Sequence, residues 1–188
     1  MQGKVVLITG GARRVGAAIC RYLHAHGASL MVHYRSSAKE ARALQAELNL
    51  KRTDSVALIQ ADLLNLSVLP NLVGDTVKRF GRLDVVINNA SSFFPTAVGE
   101  INDKAWDDLI GTNLKAPLFL SQAAVGQLKK NHGCIVNIVD IHAERPMKNY
   151  VVYSTAKAGL VNLTRSLARE LAPEVRVNGV APGAIIWP

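Results

Sequence analysis

The chain has 188 residues, 49% of them hydrophobic and 19% charged, with a formal net charge of +8. That is enough for one α/β domain burying about 70% of its unfolded surface, and the composition excludes a disordered chain. No apolar run reaches the ~20 residues a membrane span needs. The positive charge suits nucleic acid in principle, but the basic residues are scattered and aromatics make up only 5%. Without interleaved basic and aromatic residues, single-strand binding is excluded, and no nucleic-acid or membrane partner is expected.

Lys4–Ile8 is a β-branched apolar run of the kind buried on both faces of a sheet. Thr9-Gly10-Gly11-Ala12 follows as a tight turn, and Arg14 to His26 has helical apolar spacing. Strand, glycine turn and helix in that order present free N–H groups to a phosphate. The glycines are Gly10, Gly11 and Gly16, with Arg14 where the usual G-x-G-x-x-G fingerprint would lead one to expect glycine.

Ser29–Tyr34 reads as the second strand, and Ser37 to Leu50 as a helix opened by a Ser37 cap. Val56–Gln60 is a third strand, and Leu66 to Phe80 a helix with Pro70 in its first turn and Gly81 ending it. Leu83–Asn88 is a fourth strand. Asn102 or Asp103 caps one long helical region reaching Lys130. Gly133–Val139, the helix Tyr150 to Leu171 and the strand Val175–Val180 complete the pattern. Six strands alternating with helices predict a single domain over 1–188. The fold class is α/β, a Rossmann-type doubly wound parallel sheet. The early first strand leaves no signal peptide, and Cys20 and Cys134 form no C-x-x-C pair, so a cytoplasmic location with free thiols is expected.

In such sheets ligands bind beyond the carboxyl ends of the strands. The second strand ends in His33, Tyr34, Arg35, Ser36 and Ser37, without the acidic residue that holds an NAD ribose. A guanidinium forks onto a phosphate and serine hydroxyls donate to it, so Arg35, Ser36 and Arg14 predict NADP(H). Tyr153 and Lys157 lie four apart on one helix face. A cation there is expected to lower the phenol's pKa from its ordinary ~10 into working range. Asp140, thirteen residues before Tyr153, closes the fifth strand; Tyr, Lys and Asp at this spacing also occur as ordinary helix-surface and capping residues. His24, His26, His33, His132 and His142 lack metal-ligand spacing, so no metal is expected.

Together Thr9-Gly10-x-x-x-Arg14-x-Gly16, Asn88-Asn89-Ala90, Asn113, Tyr153-x-x-x-Lys157 and Pro182-Gly183 resemble the short-chain dehydrogenase/reductase family across essentially the whole chain. Arg14 for glycine, Asp140 for the family's serine, the segment Asn89 to Thr96 and the segment His33 to Ser36 resemble its pteridine-reductase branch. That branch includes bacterial dihydromonapterin and dihydrofolate reductases.

The resemblance implies a cofactor pyrophosphate at Gly10, Arg14, Val15 and Gly16. It implies adenine near Asp62 and Leu63, and nicotinamide near Asn89, Ala90, Ser91, Pro182 and Gly183. Lys157 would hold the nicotinamide ribose and Asn113 would anchor a water relaying protons to it. Phe93 would stack on a pterin or folate substrate, beside Ser91, Asp140 and Tyr153. Hydride would pass to a C=N carbon and Tyr153, aided by Asp140, would protonate nitrogen. A carbonyl reductase of 3-oxoacyl thioesters and a non-catalytic NADP-binding protein are the alternatives. By analogy the resemblance also implies a homo-oligomer, commonly a tetramer, and a last strand and substrate lid that this chain lacks.

Overall fold

A computed structural model describes residues 1–185. The six strands are β1 (Val5–Ile8), β2 (Ser29–Tyr34), β3 (Val56–Gln60), β4 (Val85–Asn88), β5 (Cys134–Ile138) and β6 (Arg176–Val180). All neighbours are parallel, in the order β3-β2-β1-β4-β5-β6. The chain leaves β1 in one direction and returns from β3 to the far side of β1 as β4. The winding therefore reverses between β1 and β4, which is where such sheets open a crevice.

The helices are α1 (Arg14–Ala25), α2 (Ala38–Lys51), α3 (Leu69–Phe80), α4 (Asp103–Ile110), α5 (Ala116–Lys130) and α6 (Val151–Glu170). Alternation along β1 sends Val6 and Ile8 to one face and Leu7 to the other. The first face packs on Ala17 and Cys20 of α1 and Leu44 and Leu48 of α2. The second packs on Leu72 of α3 and Leu120 and Leu128 of α5, with Leu171 closing it after α6. Both faces of β1 are covered, which explains its uninterrupted apolar run.

Beyond shifts of a residue or two at strand ends, three features differ from the sequence reading. Leu66–Val68 is a separate 3-10 turn before α3. Ser37 stands at the N-cap of α2 but its side chain bonds to none of the helix N–H groups. The long helix read from Asn102 to Lys130 is two helices separated by a π turn, Gly111–Lys115. Asn102 does cap the first of them, accepting from Ala105 N. Apolar periodicity does not show such a turn, because apolar residues continue across it although their partners change: Leu109 packs on Val152 and Tyr153 of α6, and Leu120 and Leu128 pack on the sheet.

At the amino ends of the strands Asp84 is 1% exposed. It accepts hydrogen bonds from Val5 N, Lys4 Nζ and the Arg82 guanidinium. Burial alone would raise its pKa, but these donors together hold it below the ordinary value. β6 is an edge strand among the described residues, and its Val180 is 51% exposed.

Candidate active site

The carboxyl ends of the strands surround a cleft of about 720 Å³. Gly10, Arg14, Val15 and Gly16 line one side, followed by His33, Tyr34, Arg35 and Ser36. Asp62 and Leu63 close that end, and Asn89, Ala90, Ser91 and Phe93 form the floor between. Asp140, Tyr153, Lys157, Pro182 and Gly183 bound the other end. Of the residues expected to act in catalysis or to bind cofactor or substrate, Asn113 alone does not line the cleft; it is 1% exposed and lies behind Ser91.

The glycine turn is held from three directions. Gly10 has φ +61°, and a Cβ there would stand 2.9 Å from Ala90 Cα. A Cβ on Gly16 would stand 2.3 Å from Gly10 O, so only glycine lets α1 begin this close to the turn. Asn89 Nδ2 donates to the carbonyls of Thr9 and Gly10, both at 2.9 Å. Thr9 Oγ1 accepts in return from Asn89 N and Ala90 N.

His33 supplies the third support. Gly10 N–H donates to its Nδ1 at 3.2 Å, so Nδ1 must carry no proton, and Nε2 donates to Ala61 O at 3.1 Å. Burial lowers the pKa of His33, which favours this neutral tautomer. Both ring nitrogens are thus engaged by the protein, and the ring braces the turn.

Arg14 has φ +47°, the left-handed region that glycine occupies freely. A non-glycine residue there stores about 1–2 kcal/mol of strain. α1 has no side-chain cap and no acidic residue in its first turn. Its N-terminal N–H groups and the guanidinium of Arg14 are therefore available to an anion.

At the other end Tyr153 Oη donates to Asp140 Oδ2 at 2.6 Å. The second carboxyl oxygen of Asp140 accepts from His142 N at 2.9 Å, capping a 3-10 turn, Ile141–Ala143. Lys157 Nζ donates to Ile138 O at 3.0 Å and lies 5.7 Å from the Tyr153 ring centre. The expected acidification of Tyr153 is overturned in this arrangement. Burial first, then the hydrogen bond to and charge of Asp140, push the phenol above its ordinary range, with Ser91 acting the other way. Lys157 is pulled down to about 8 by burial, against the opposing charge of Asp140.

The short chain dehydrogenase family matches residues 4–186. Pteridine reductase 1 of Leishmania tarentolae is 37% identical over 98% of this chain and 77% of its own length. The 3-oxoacyl-[acyl-carrier-protein] reductase FabG of Staphylococcus aureus is 35% identical over 97% of this chain and 75% of its own. Its counterpart in Staphylococcus epidermidis is 34% identical over the same shares. The chain belongs to the short-chain dehydrogenase family.

As a member of that family the protein is an NAD(P)H-dependent oxidoreductase. The cleft fits a nicotinamide dinucleotide. Its backbone N–H groups and arginine lie at one end, and its Tyr, Lys and Asp lie at the other. Among the described residues no helix is long and apolar enough to cross a membrane.

Three supports of this dehydrogenase site were not visible in its sequence. The π turn carries Asn113 inward, where Nδ2 donates to Leu109 O and Ser92 O and Oδ1 accepts from Ser91 Oγ at 2.6 Å. Both amide hydrogens of that side chain are thereby committed to backbone carbonyls. Thr96 is the second support: its Oγ1 accepts from Val152 N and caps α6, whose own N-cap residue, Tyr150, offers no side-chain bond. The third is a buried ladder in which Asn88 donates to Asn137 Oδ1 and Asn137 to Thr164 Oγ1, both at 2.8 Å. It ties β4, β5 and α6 together behind the site. A polar residue in each otherwise apolar strand was the available signal.

Phe93 is 53% exposed over the cleft. It stacks on Tyr150 with ring centres 4.7 Å apart and meets Tyr153 edge-on at 4.8 Å. An aromatic wall thus stands over the phenol.

Proposed function

We propose that this protein reduces a C=N bond of a dihydropterin, of the dihydromonapterin, dihydrobiopterin or dihydrofolate type, using NADPH. The Asp140–Tyr153 hydrogen bond carries this reading. A carbonyl substrate needs a hydroxyl donor for its oxygen, whereas a carboxyl group beside a phenol can exchange protons with a ring nitrogen. The aromatic wall of Phe93 and Tyr150 suits a planar ring. The 37% identity to a pteridine reductase supports the same substrate class.

When bound, the reduced nicotinamide supplies the hydride. Tyr153 delivers its proton to the substrate nitrogen, and Asp140 holds the phenol in line and takes part in its reprotonation. Lys157, buried to 3% exposure, binds the nicotinamide ribose and keeps positive charge beside the phenol. Arg14, Arg35 and Ser36 hold the 2′-phosphate, since no carboxylate closes β2 to repel it. Asn113 supports Ser91 from behind. A homo-oligomeric, cytoplasmic enzyme is part of the same proposal, tested by its mass in solution.

The similarity to 3-oxoacyl-[acyl-carrier-protein] reductases favours one rival, reduction of a 3-oxoacyl thioester. Following NADPH absorbance with a dihydropterin, dihydrofolate and a 3-oxoacyl thioester separates the two. Turnover of the pterin substrates is expected. Turnover of the thioester alone overturns the proposal, and cofactor binding without any turnover points to a non-catalytic protein. Titration with NADPH and NADH tests the phosphate assignment: equal affinities would remove it.

A further inference from the structure

The aromatic wall and the phenol beneath it stand on different parts of the chain. Phe93 belongs to the loop after β4, whereas Tyr153 lies in the first turn of α6. Pro95 keeps Phe94 extended, and successive side chains of an extended segment point to opposite sides. Phe93 accordingly lines the cleft, while Phe94 packs on the cluster of Leu109, Val152 and Tyr153.

That loop is tied down at Thr96, which is buried. Its N–H donates to Asn149 O, and its Oγ1 accepts from Val152 N at 3.3 Å. Asn149 has φ +66°, a left-handed conformation that asparagine tolerates. Tyr150, next in the chain, pairs with Thr96 as an isolated parallel bridge. Residues 93–96 and 149–153 are thus fastened at two points. The rings of Phe93, Tyr150 and Tyr153 meet at one, and Thr96 makes its bonds at the other.

We propose that Thr96 is a positioning residue for proton transfer. It fixes the first turn of α6 to the loop that carries Phe93, and so sets where the Tyr153 phenol stands against a ring held by that wall. This rests on the reading of Tyr153 as the proton donor. Thr96 does not line the cleft, so it acts only through the two segments it joins.

The helix needs that bond. The first N–H groups of a helix have no partner within it. Tyr150 offers no side-chain cap, and the first turn of α6 has no acidic residue. The N–H of the buried Val152 therefore depends on Thr96. Helix ends fray first, and Tyr153 lies within that end. Its 2.6 Å hydrogen bond to Asp140 and its edge contact with Phe93 both start from this turn. A misplacement of about 1 Å at reacting atoms costs up to roughly 100-fold in rate.

The test compares T96V, which keeps the shape and removes the hydroxyl acceptor, with T96S, which keeps the hydroxyl. Each is assayed by NADPH oxidation with a dihydropterin and with a 3-oxoacyl thioester, and each is unfolded in urea. T96V is expected to lose about tenfold or more in kcat, with KM for NADPH within about twofold of the unchanged chain. T96S is expected to keep kcat within about twofold.

A T96V protein that unfolds at lower urea but keeps its kcat makes Thr96 a stabilising cap alone and overturns the proposal. A rise in KM for NADPH that matches the fall in kcat overturns it too, since the whole cleft would then have loosened. A T96S kcat lower by about tenfold overturns it as well, and that measurement remains readable if T96V does not fold. Turnover of the thioester alone overturns the pterin reading only, and the comparison of variants is then made on that substrate. No turnover of either probe by the unchanged chain removes the donor role of Tyr153, and this proposal with it.

Discussion

Tyr153 and Asp140, thirteen residues apart in the chain, share a 2.6 Å hydrogen bond across the mouth of the cleft. Burial first, and then the hydrogen bond to and charge of Asp140, hold the phenol in its protonated form. Asp140 can do this because its other oxygen is fixed by His142 N, which sets the angle of the carboxyl group.

Replacing Asp140 by serine is therefore expected to lower dihydropterin turnover by about 100-fold or more, and Tyr153→Phe to abolish nearly all of it. Both are read from NADPH oxidation. Full pterin turnover in Asp140→Ser would remove the role assigned to the carboxylate.

Arg14 is in a left-handed conformation that glycine would adopt without strain. Arg14→Gly relieves about 1–2 kcal/mol of strain but adds about 0.5–1 kcal/mol of unfolded-state entropy. The net change in stability should be within about 1 kcal/mol, measured by urea denaturation. Affinity for NADPH should fall at least tenfold while NADH binding changes little, because the lost guanidinium serves the phosphate. A parallel loss for both cofactors would place Arg14 at the pyrophosphate instead.

His33 and His24 are both buried, and burial lowers the pKa of each below the ordinary 6.5. Between the folded and unfolded pKa values the unfolded chain binds more protons, so stability rises with pH there. Their contribution is complete above about 6.5 and is lost as pH falls through the folded values. Protonated His33 cannot accept from Gly10 N–H, so NADPH affinity should drop over the same acid range. Isothermal titration at pH 7.5 and 5.5, with His33→Asn as comparison, checks this. A pH dependence identical in the variant would contradict it.

Asp84 lies at the opposite end of the sheet from the cleft, with Lys4, Arg82 and Val5 N as donors. Asp84→Ala leaves a buried N–H unpaired and should cost about 2–4 kcal/mol of stability. The kcat of the folded fraction should be unaffected. Its folded pKa is depressed, so its stabilisation is present above the unfolded value near ~3.9. It disappears as pH falls through the folded value. Chemical denaturation and assay at saturating substrate separate the two effects.

The strands were legible because each is a short apolar run sealed on both faces, and the turns because glycine and polar residues gather at their ends. Val85–Asn88 and Cys134–Ile138 are shorter than the runs that mark them, since apolar residues continue into the flanking loops. What could not be read was how side chains divide their hydrogen bonds. His33 and Asn89 stood out as cofactor contacts, yet the Asn89 amide and His33 Nδ1 bond to the glycine turn, and His33 Nε2 bonds to Ala61 O. The cap made by Thr96 was not legible, because Val152, whose N–H it accepts from, lies fifty-six residues later.

The sequence by itself determined the order of elements, the parallel sheet and the residues that meet at its carboxyl ends. Those follow from periodicity and from the few conformations glycine turns allow. Only the tertiary structure decided the protonation chemistry of Tyr153. The i, i+4 spacing puts Lys157 near the phenol, but burial of the phenol and a carboxylate at 2.6 Å outweigh an amine that lies 5.7 Å from the ring centre and is bonded to a backbone carbonyl. Electrostatic influence depends on distance and on which partner holds the proton, and neither is encoded in spacing along the chain.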